Sequence, residues 1–384
     1  MFTRRRFFAF SAALPFVRRS MLAAGAKSAS RIYIGTGNNG AGQGIMTASW
    51  NADTGEIGPV TLAAEVDTPS FLATIQQPGK ATRLYAISEA SGAAAKVSAY
   101  TTVAGTGRLK LLNRVSSGGD GPAHVSVSPD GRTVLASNYG GGSVTSFQVK
   151  ADGSLSEAVS HFQFTGSGPN HERQSQPHTH SAVASPDGRY VLVNELGLDR
   201  ILLFHLDAAT SRLTPNDPPY WSSKPGAGPR HIAWSMDGRF VYCSNELDST
   251  VNTLAWSGGV NASLHTIQTL SSLPENFPPD TAFLGEIVAS ADGRNVYAGN
   301  RVADDTIEVF DADRQSGRLS PVQSALSGGK NCRHIALDPT DRWMVVSHQS
   351  SNDLAVLPRN GQSGRLSPTR HTYPVNKPMC VVFV

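Results

Sequence analysis

A turn of the form (S/T)-G-R-L, or a close variant, recurs seven times along the 384 residues, ending at Ile57, Leu109, Leu155, Leu213, Leu264, Leu319 and Leu366. The intervals are 52, 46, 58, 51, 55 and 47 residues. Such a period constrains the fold strongly, because one unit of this size cannot bury its apolar face alone and must stack on its neighbours. A second signal lies between the copies: SPDGR from Ser128 and Ser185, SMDGR from Ser235, SADGR from Ser290, DPTDR from Asp338, and a weaker QQPGKATR over 76–83. Apolar, β-rich runs flank each, as in HVSVSPDGRTVLASN. Asp-Gly between two such runs marks a hairpin, since the tight turn needs a positive φ. Each unit therefore reads as four short antiparallel strands, the pattern of a propeller blade. The expected fold is all-β, a seven-bladed β-propeller with four antiparallel strands per blade. RIYIGTGN (31–38) reads as a second strand without a first, and KPMCVVFV (377–384) as a first strand without its continuation. Pairing them would close the ring within one blade and remove open sheet edges. A pair of β-sandwiches would not need seven equal units.

Residues 27–384 are expected to form this single propeller domain, and residues 1–26 an export signal. TRRRFF (Thr3 to Phe8) resembles the twin-arginine pattern S/T-R-R-x-F-L, the apolar run Phe7 to Val17 follows, and Ala24-Gly25-Ala26 offers a cleavage site. The run is too short to span a bilayer as a helix. Twin-arginine cargo crosses already folded, so a periplasmic or secreted protein is expected. The formal charge of +3 comes from this segment. Without its five arginines the chain has 28 basic and 30 acidic groups, which argues against a nucleic-acid footprint. Cys243, Cys332 and Cys380 stand in apolar strand contexts with no CxxC and read as inert buried thiols.

Aligning the units on the SPDGR hairpin shows where the charges fall. The start of a blade's first strand and the end of its second lie together, away from the hairpin. At the start of the first strand stand Ala123, His180, Arg230, Gly285 and Arg333, each followed by His124, Ser181, His231, Glu286 and His334. The second strand closes on Tyr139, Glu195, Glu246, Arg301 and Gln349. The first strand of a blade lines the central channel, so these groups should converge on one mouth. The loop GPNHERQSQPHTH brings Arg173, His178 and His180 to the same rim. Convergent His, Arg and Glu at one end of a closed scaffold mark a candidate site. His178 and His180 would need a third ligand to hold a metal, and no HExxH or cysteine cluster supplies one. A serine nucleophile would want a G-x-S-x-G elbow, which the sequence lacks. Water attack on a carbonyl remains: a His or Glu acts as base, while arginines hold the oxyanion and an anionic substrate. Neither a metal ion nor another cofactor is expected.

At these residues the chain resembles the seven-bladed propeller lactonase family, which includes propeller-type 6-phosphogluconolactonases and fungal carboxy-muconate cyclase. The resemblance covers nearly all of 31–384 and rests on ERQSQPHTH, NELGLDRI, GPRHIAW, SNEL, the GEI…DGR…GNR segment and CRHIALDP followed by SHQSSN. It implies His180, Arg230, Glu246 and Arg301 as the catalytic set, with Arg173, His178, Glu286 and Arg333 binding substrate around them. Glu195 stands where the family usually has Asp, and Val288 where it often has His or Arg. The implied activity is a 6-phosphogluconolactonase-like hydrolase of an acidic sugar lactone. A muconate-type lactonising cycloisomerase and a non-catalytic ligand-binding propeller are the alternatives. The expected partner is a small anionic lactone or organic acid, with no nucleic acid, no membrane for the mature form, and a monomeric state.

Overall fold

The computed structural model describes residues 30–37, 42–76, 81–274, 277–278, 281–369 and 371–384. The export segment expected over 1–26 lies outside them. Seven antiparallel sheets follow one another, and the inner strand of each packs beside the inner strand of the next. In chain order the inner strands are Leu72–Ile75 (blade 1), Pro122–Val127 (blade 2), Thr179–Ala184 (blade 3), Pro229–Trp234 (blade 4), Ala282–Ala289 (blade 5), Cys332–Leu337 (blade 6) and Pro378–Phe383 (blade 7). Blade 7 packs on both blade 6 and blade 1, which closes the ring.

In blades 2 to 5 the inner strand runs from the mouth to an Asp-Gly hairpin, where local hydrogen bonds fix the turn. In blade 2 the Ser128 hydroxyl donates to Asp130 at 2.6 Å, and the Thr133 amide donates back to the Ser128 oxygen at 3.0 Å. Gly131 takes φ +73°, which costs a glycine nothing. The arrangement returns at Ser185–Asp187, Ser235–Asp237 and Ser290–Asp292. The second strands then run back to the mouth. Thr133–Asn138, Tyr190–Glu195 and Phe240–Asn245 are buried along their whole length, since a blade is covered on both faces. Apolar clusters between successive blades form the core, as where Tyr190, Leu192 and Leu203 meet Ile232, Val241 and Leu254.

The closing blade is the expected one. Pro378–Phe383 pairs antiparallel with Arg31–Thr36, matching Ile32 to Phe383 and Ile34 to Val381. Gly44–Asn51 forms its third strand, and the fourth is broken into Glu56–Ile57 and Thr61–Glu65. The three cysteines are free and buried, and burial pushes their thiols up, away from thiolate chemistry.

One irregularity governs the mouth. In five blades the pairing between first and second strands skips a residue as the inner strand begins, from Pro122 to His124, Thr179 to Ser181, Pro229 to His231, Cys332 to His334 and Pro378 to Cys380. The skipped residues are Ala123, His180, Arg230, Arg333 and Met379. In blade 5 Gly285 and Glu286 occupy the equivalent irregular stretch. Such β-bulges leave one residue outside the ladder and re-aim its side chain. Successive side chains in a regular strand point to opposite faces; here the extra residue lets two neighbours serve the mouth.

Ring closure depends on the terminal inner strand, in which Val381 is 2% exposed between blades. Val381→Asp is expected to cost more than about 4 kcal/mol and to abolish the cooperative transition in guanidinium, read by tryptophan fluorescence. Val260→Asp, at a position 88% exposed, is expected to move stability by no more than about 0.5 kcal/mol.

Candidate active site

Glu246 follows the second strand of blade 4, with its side chain 2% exposed. Its Oε2 accepts from Arg230 Nε at 3.0 Å and pairs with Arg301 Nη2 at 3.0 Å, while its Oε1 accepts from Arg173 Nη2 at 2.5 Å. His180 Nε2 stands 3.7 Å from Oε2. Arg230 and His180 are bulge residues of blades 4 and 3, and Arg301 lies near the end of the second strand of blade 5, Asn295–Val302. The four residues expected to be catalytic are thus gathered around one carboxylate, and Arg173 joins them.

Arg173 arrives on the loop between blades 2 and 3. The next residue, Gln174, is fully buried and anchors that loop, donating at 2.8 Å to both the Leu196 carbonyl and the Asp199 carboxylate. Arg173 also donates to the Tyr139 hydroxyl at 3.2 Å. Phe283, across the strand pair from Arg301, lies under both guanidiniums, 5.4 Å from Arg173 and 5.6 Å from Arg301. His178 turns away from His180: its Nδ1 bonds the Tyr139 carbonyl at 2.9 Å and its ring stacks on Tyr139 at 4.4 Å. It supports the tyrosine that holds Arg173. Arg333 is half-buried and stands outside the group of ion pairs on Glu246.

A second tier lies directly beneath. His231 Nδ1 is 2.9 Å from both oxygens of Glu286, and His334 Nε2 is 3.6 Å from Glu286 Oε2. The Phe71 ring lies 4.4 Å from His124 and 5.7 Å from both His231 and His334, measured between centroids. Blades 1 and 4 are not neighbours, so the contact between Phe71 and His231 crosses the axis. Side chains therefore floor the channel here, and the mouth is a cup. Glu286 belongs to this floor and not to the arginine cluster.

Electrostatics follow from burial and cations together. Burial alone would raise the Glu246 carboxyl, but Arg301, Arg230 and Arg173 hold it well below the ordinary carboxylate range. Burial, then the nearby charges of Arg230 and Arg301, push Arg333 down to about 9. Burial also pulls His180 and His231 well below the usual imidazole range, reinforced by Arg230, so both are neutral near pH 7. His124 and His334 shift the same way, again with burial foremost. Burial pushes Glu195 up to about 8, so it adds little charge to the mouth. Arg230 Nη1, Arg301 Nε, His180 Nδ1 and His231 Nε2 are buried without a hydrogen-bond partner among the described residues. His124 Nδ1 and His334 Nδ1 are likewise without one, so two cationic donors and four imidazole nitrogens lack partners around the mouth and its floor.

Sequence reasoning missed Phe283, Phe71 and Glu89. Glu89 follows the second strand of blade 1, the counterpart of Glu246, and its charge acts on Arg333. The weak QQPGKATR copy does not fix the position of its turn well enough for the offset to single out Glu89. Clefts elsewhere on the surface, one of about 720 Å³ beside Thr68, Ser88 and Lys96 and one of about 490 Å³ beside Trp50, Glu56 and Tyr373, are not lined by the ion cluster. Among the described residues no His, Cys, Asp or Glu group is arranged to hold a metal ion, and no helix is long and apolar enough to cross a membrane.

The family model described as "Lactonase, 7-bladed beta-propeller" matches residues 31–383. A 6-phosphogluconolactonase of Bacillus subtilis (strain 168) is 35% identical over 352 residues, covering 92% of this chain and 97% of the relative. One from Formosa agariphila is 29% identical over 341 residues, covering 87% and 94%. The solved structure of a periplasmic gluconolactonase from Pseudomonas aeruginosa superposes with a TM-score of 0.85 at 31% identity, covering 92% of this chain and 98% of that one.

The buried imidazoles make stability depend on pH. With folded pKa values below 6.5, these groups bind more protons when unfolded, so their contribution is full above that pH and falls as the solution is acidified, while Glu195, raised to about 8, acts in the opposite sense over the same range and offsets one histidine's share. The loss is expected to reach about 1.4 kcal/mol per histidine per pH unit below 6.5. Glu246 adds its own loss only as pH falls below about 4.5. Thermal unfolding at pH 7.5 and 5.5 should show this drop, and His124→Phe should reduce it.

Proposed function

The chain belongs to the seven-bladed β-propeller lactonase family, and on that premise we propose that it is a lactone hydrolase opening an anionic sugar lactone in the Glu246 cup. The observation that carries this reading is the set of buried, unpartnered donors and acceptors over one carboxylate. Ring opening of a lactone places negative charge on the carbonyl oxygen. Arg230 Nη1 and Arg301 Nε are the donors to meet it, already oriented because Glu246 and Phe283 hold their guanidiniums.

Glu246 acts as the clamp of this arrangement. A carboxylate held so far below its ordinary range makes a poor base, because the arginines stabilise the ionised form. The proton of the attacking water therefore goes to one of the neutral imidazoles of the cup. Arg173, Arg230, Arg301 and Arg333 face Glu246, Glu89 and the deeper Glu286, an excess of one positive charge that favours an anionic substrate. Arginine's planar fork suits the carboxylate that the reaction produces.

The protein works outside the cytoplasm in this reading. Support comes from the twin-arginine pattern over Thr3 to Phe8 and from the relative described as a periplasmic gluconolactonase. Replacing Arg4 and Arg5 together by Lys is expected to leave the protein in the cytoplasmic fraction.

Activity is tested by proton release at constant pH with glucono-δ-lactone and 6-phosphoglucono-δ-lactone, corrected for spontaneous opening. The wild type is expected to hydrolyse at least one, with the phosphorylated lactone favoured. Arg301→Ala should lower kcat/KM by about 10²–10³-fold. Glu246→Gln should do at least as much and cost about 3–5 kcal/mol of stability, because three buried cations lose their counter-ion. No opening above the spontaneous rate would overturn the lactonase reading, and preference for the uncharged lactone would overturn the anionic substrate.

A further inference from the structure

The proton acceptor can be sought among the imidazoles by asking which one the fold has prepared. His180 is the nearer to Glu246, yet its Nε2 stands 3.7 Å away, beyond hydrogen-bond distance, and its Nδ1 has no partner among the described residues. Nothing fixes its tautomer. Protonation would also place a charge among Arg230, Arg333 and Arg301.

His231 is set differently. Its Nδ1 contacts both Glu286 oxygens at 2.9 Å, so Nδ1 carries the proton and Nε2 presents a lone pair. Glu286 is itself fixed, accepting from the Ile287 amide at 3.2 Å with His334 Nε2 at 3.6 Å on its other oxygen. His231 Nε2 is buried without a partner, and the ring lies 5.0 Å from that of His180. The residue before it is Arg230, whose Nη1 is likewise unpartnered. The bulge between Pro229 and His231 thus brings an oxyanion donor and a tautomer-fixed acceptor to one opening from successive positions of a single strand.

Resting on the lactonase reading above, we propose that His231 is the general base of this site and that Glu286 positions it and stabilises its protonated form. Water loses a proton to His231 Nε2 as its oxygen bonds to the lactone carbonyl carbon, and the carbonyl electron pair moves to an oxygen held by Arg230 and Arg301. When the intermediate collapses, the ring C–O bond breaks and the leaving alkoxide takes the proton from His231. Neutral imidazole is restored, and the product is the open hydroxy acid, which ionises to solvent. The division of labour is that of a carboxylate orienting a histidine, with water in place of a side-chain nucleophile.

The test uses the whole folded protein with 6-phosphoglucono-δ-lactone and glucono-δ-lactone as probes, measuring kcat and KM from pH 5 to 9 after subtracting spontaneous opening. His231→Gln is expected to lower kcat by about 10²–10⁴-fold while KM stays within about 3-fold. Glu286→Gln, nearly isosteric, is expected to lower kcat by at least about 10²-fold through loss of the tautomer. The groups facing His231 are Glu286, Glu246, His180, His124, His334, Arg230 and Arg333. In the wild type kcat should be flat above the His231 titration, which lies below the ordinary imidazole range. In both variants hydroxide must replace the lost base, so log kcat should climb with pH with a slope near one. A merely structural defect would scale the rate without changing that slope. The dyad is overturned if folded His231→Gln keeps kcat within about 3-fold of wild type, or if Glu286→Gln retains the flat profile. Glu286→Gln decides the matter alone should His231→Gln not fold. Either result leaves the lactonase reading standing, since the wild type still turns over; a wild type that opens neither lactone overturns that reading first, and the dyad with it.

Discussion

A single buried carboxylate holds together three guanidiniums that would otherwise repel one another. Arg173, Arg230 and Arg301 come from a loop and two different blades, and they meet at Glu246. Desolvating one such charge is costly, and the cluster persists because each cation has the same counter-ion within hydrogen-bond reach. The consequence is chemical. Cationic donors are oriented before any ligand arrives, and binding or catalysis need not reorganise them.

Two features of the scaffold make that cluster possible. Radial packing of seven sheets brings residues distant in sequence to one axial opening, with ring closure through the two termini holding the blades in place. In blades 4 and 6 the bulge at the start of the inner strand then converts one functional position into two. Arg230 serves the upper tier with Glu246 while His231 serves the floor with Glu286, and in blade 6 His334 joins that floor while Arg333 stays outside the Glu246 ion pairs. The floor is closed by contacts across the axis through Phe71, so the cup is open on one side only.

Much of this was legible in the residues. The seven-fold spacing, the Asp-Gly hairpins and the complementary half-blades at the termini specify the ring, because hairpin chemistry is local and strand register follows from it. The same register placed His180, Arg230, Glu246 and Arg301 at one mouth by simple offset from each turn. Loops escaped such counting. That Arg173 would reach Glu246, 73 residues away, depends on how Gln174 is anchored. His178, two residues from His180, turned to the Tyr139 carbonyl, since a loop has no ladder to fix which way a ring faces. Phe71 and Glu89 were hidden where the hairpin signal of blade 1 is weakest. Offset alone does not distinguish the two tiers, so the sequence does not separate Glu286 from the rim. The break of the outermost strand in blade 7 into Glu56–Ile57 and Thr61–Glu65 had no evident signal either.

The central claim is that the Glu246 cup, and not an outer cleft, is where a small acid binds. A crystal structure with 6-phosphogluconate, the ring-opened acid, tests this most directly. The account places the product carboxylate against Arg230 Nη1 and Arg301 Nε, above His231. An acid lodged on the outer flank beside Trp50 and Tyr373, or on the hairpin rim, with the arginine cluster untouched, would contradict it.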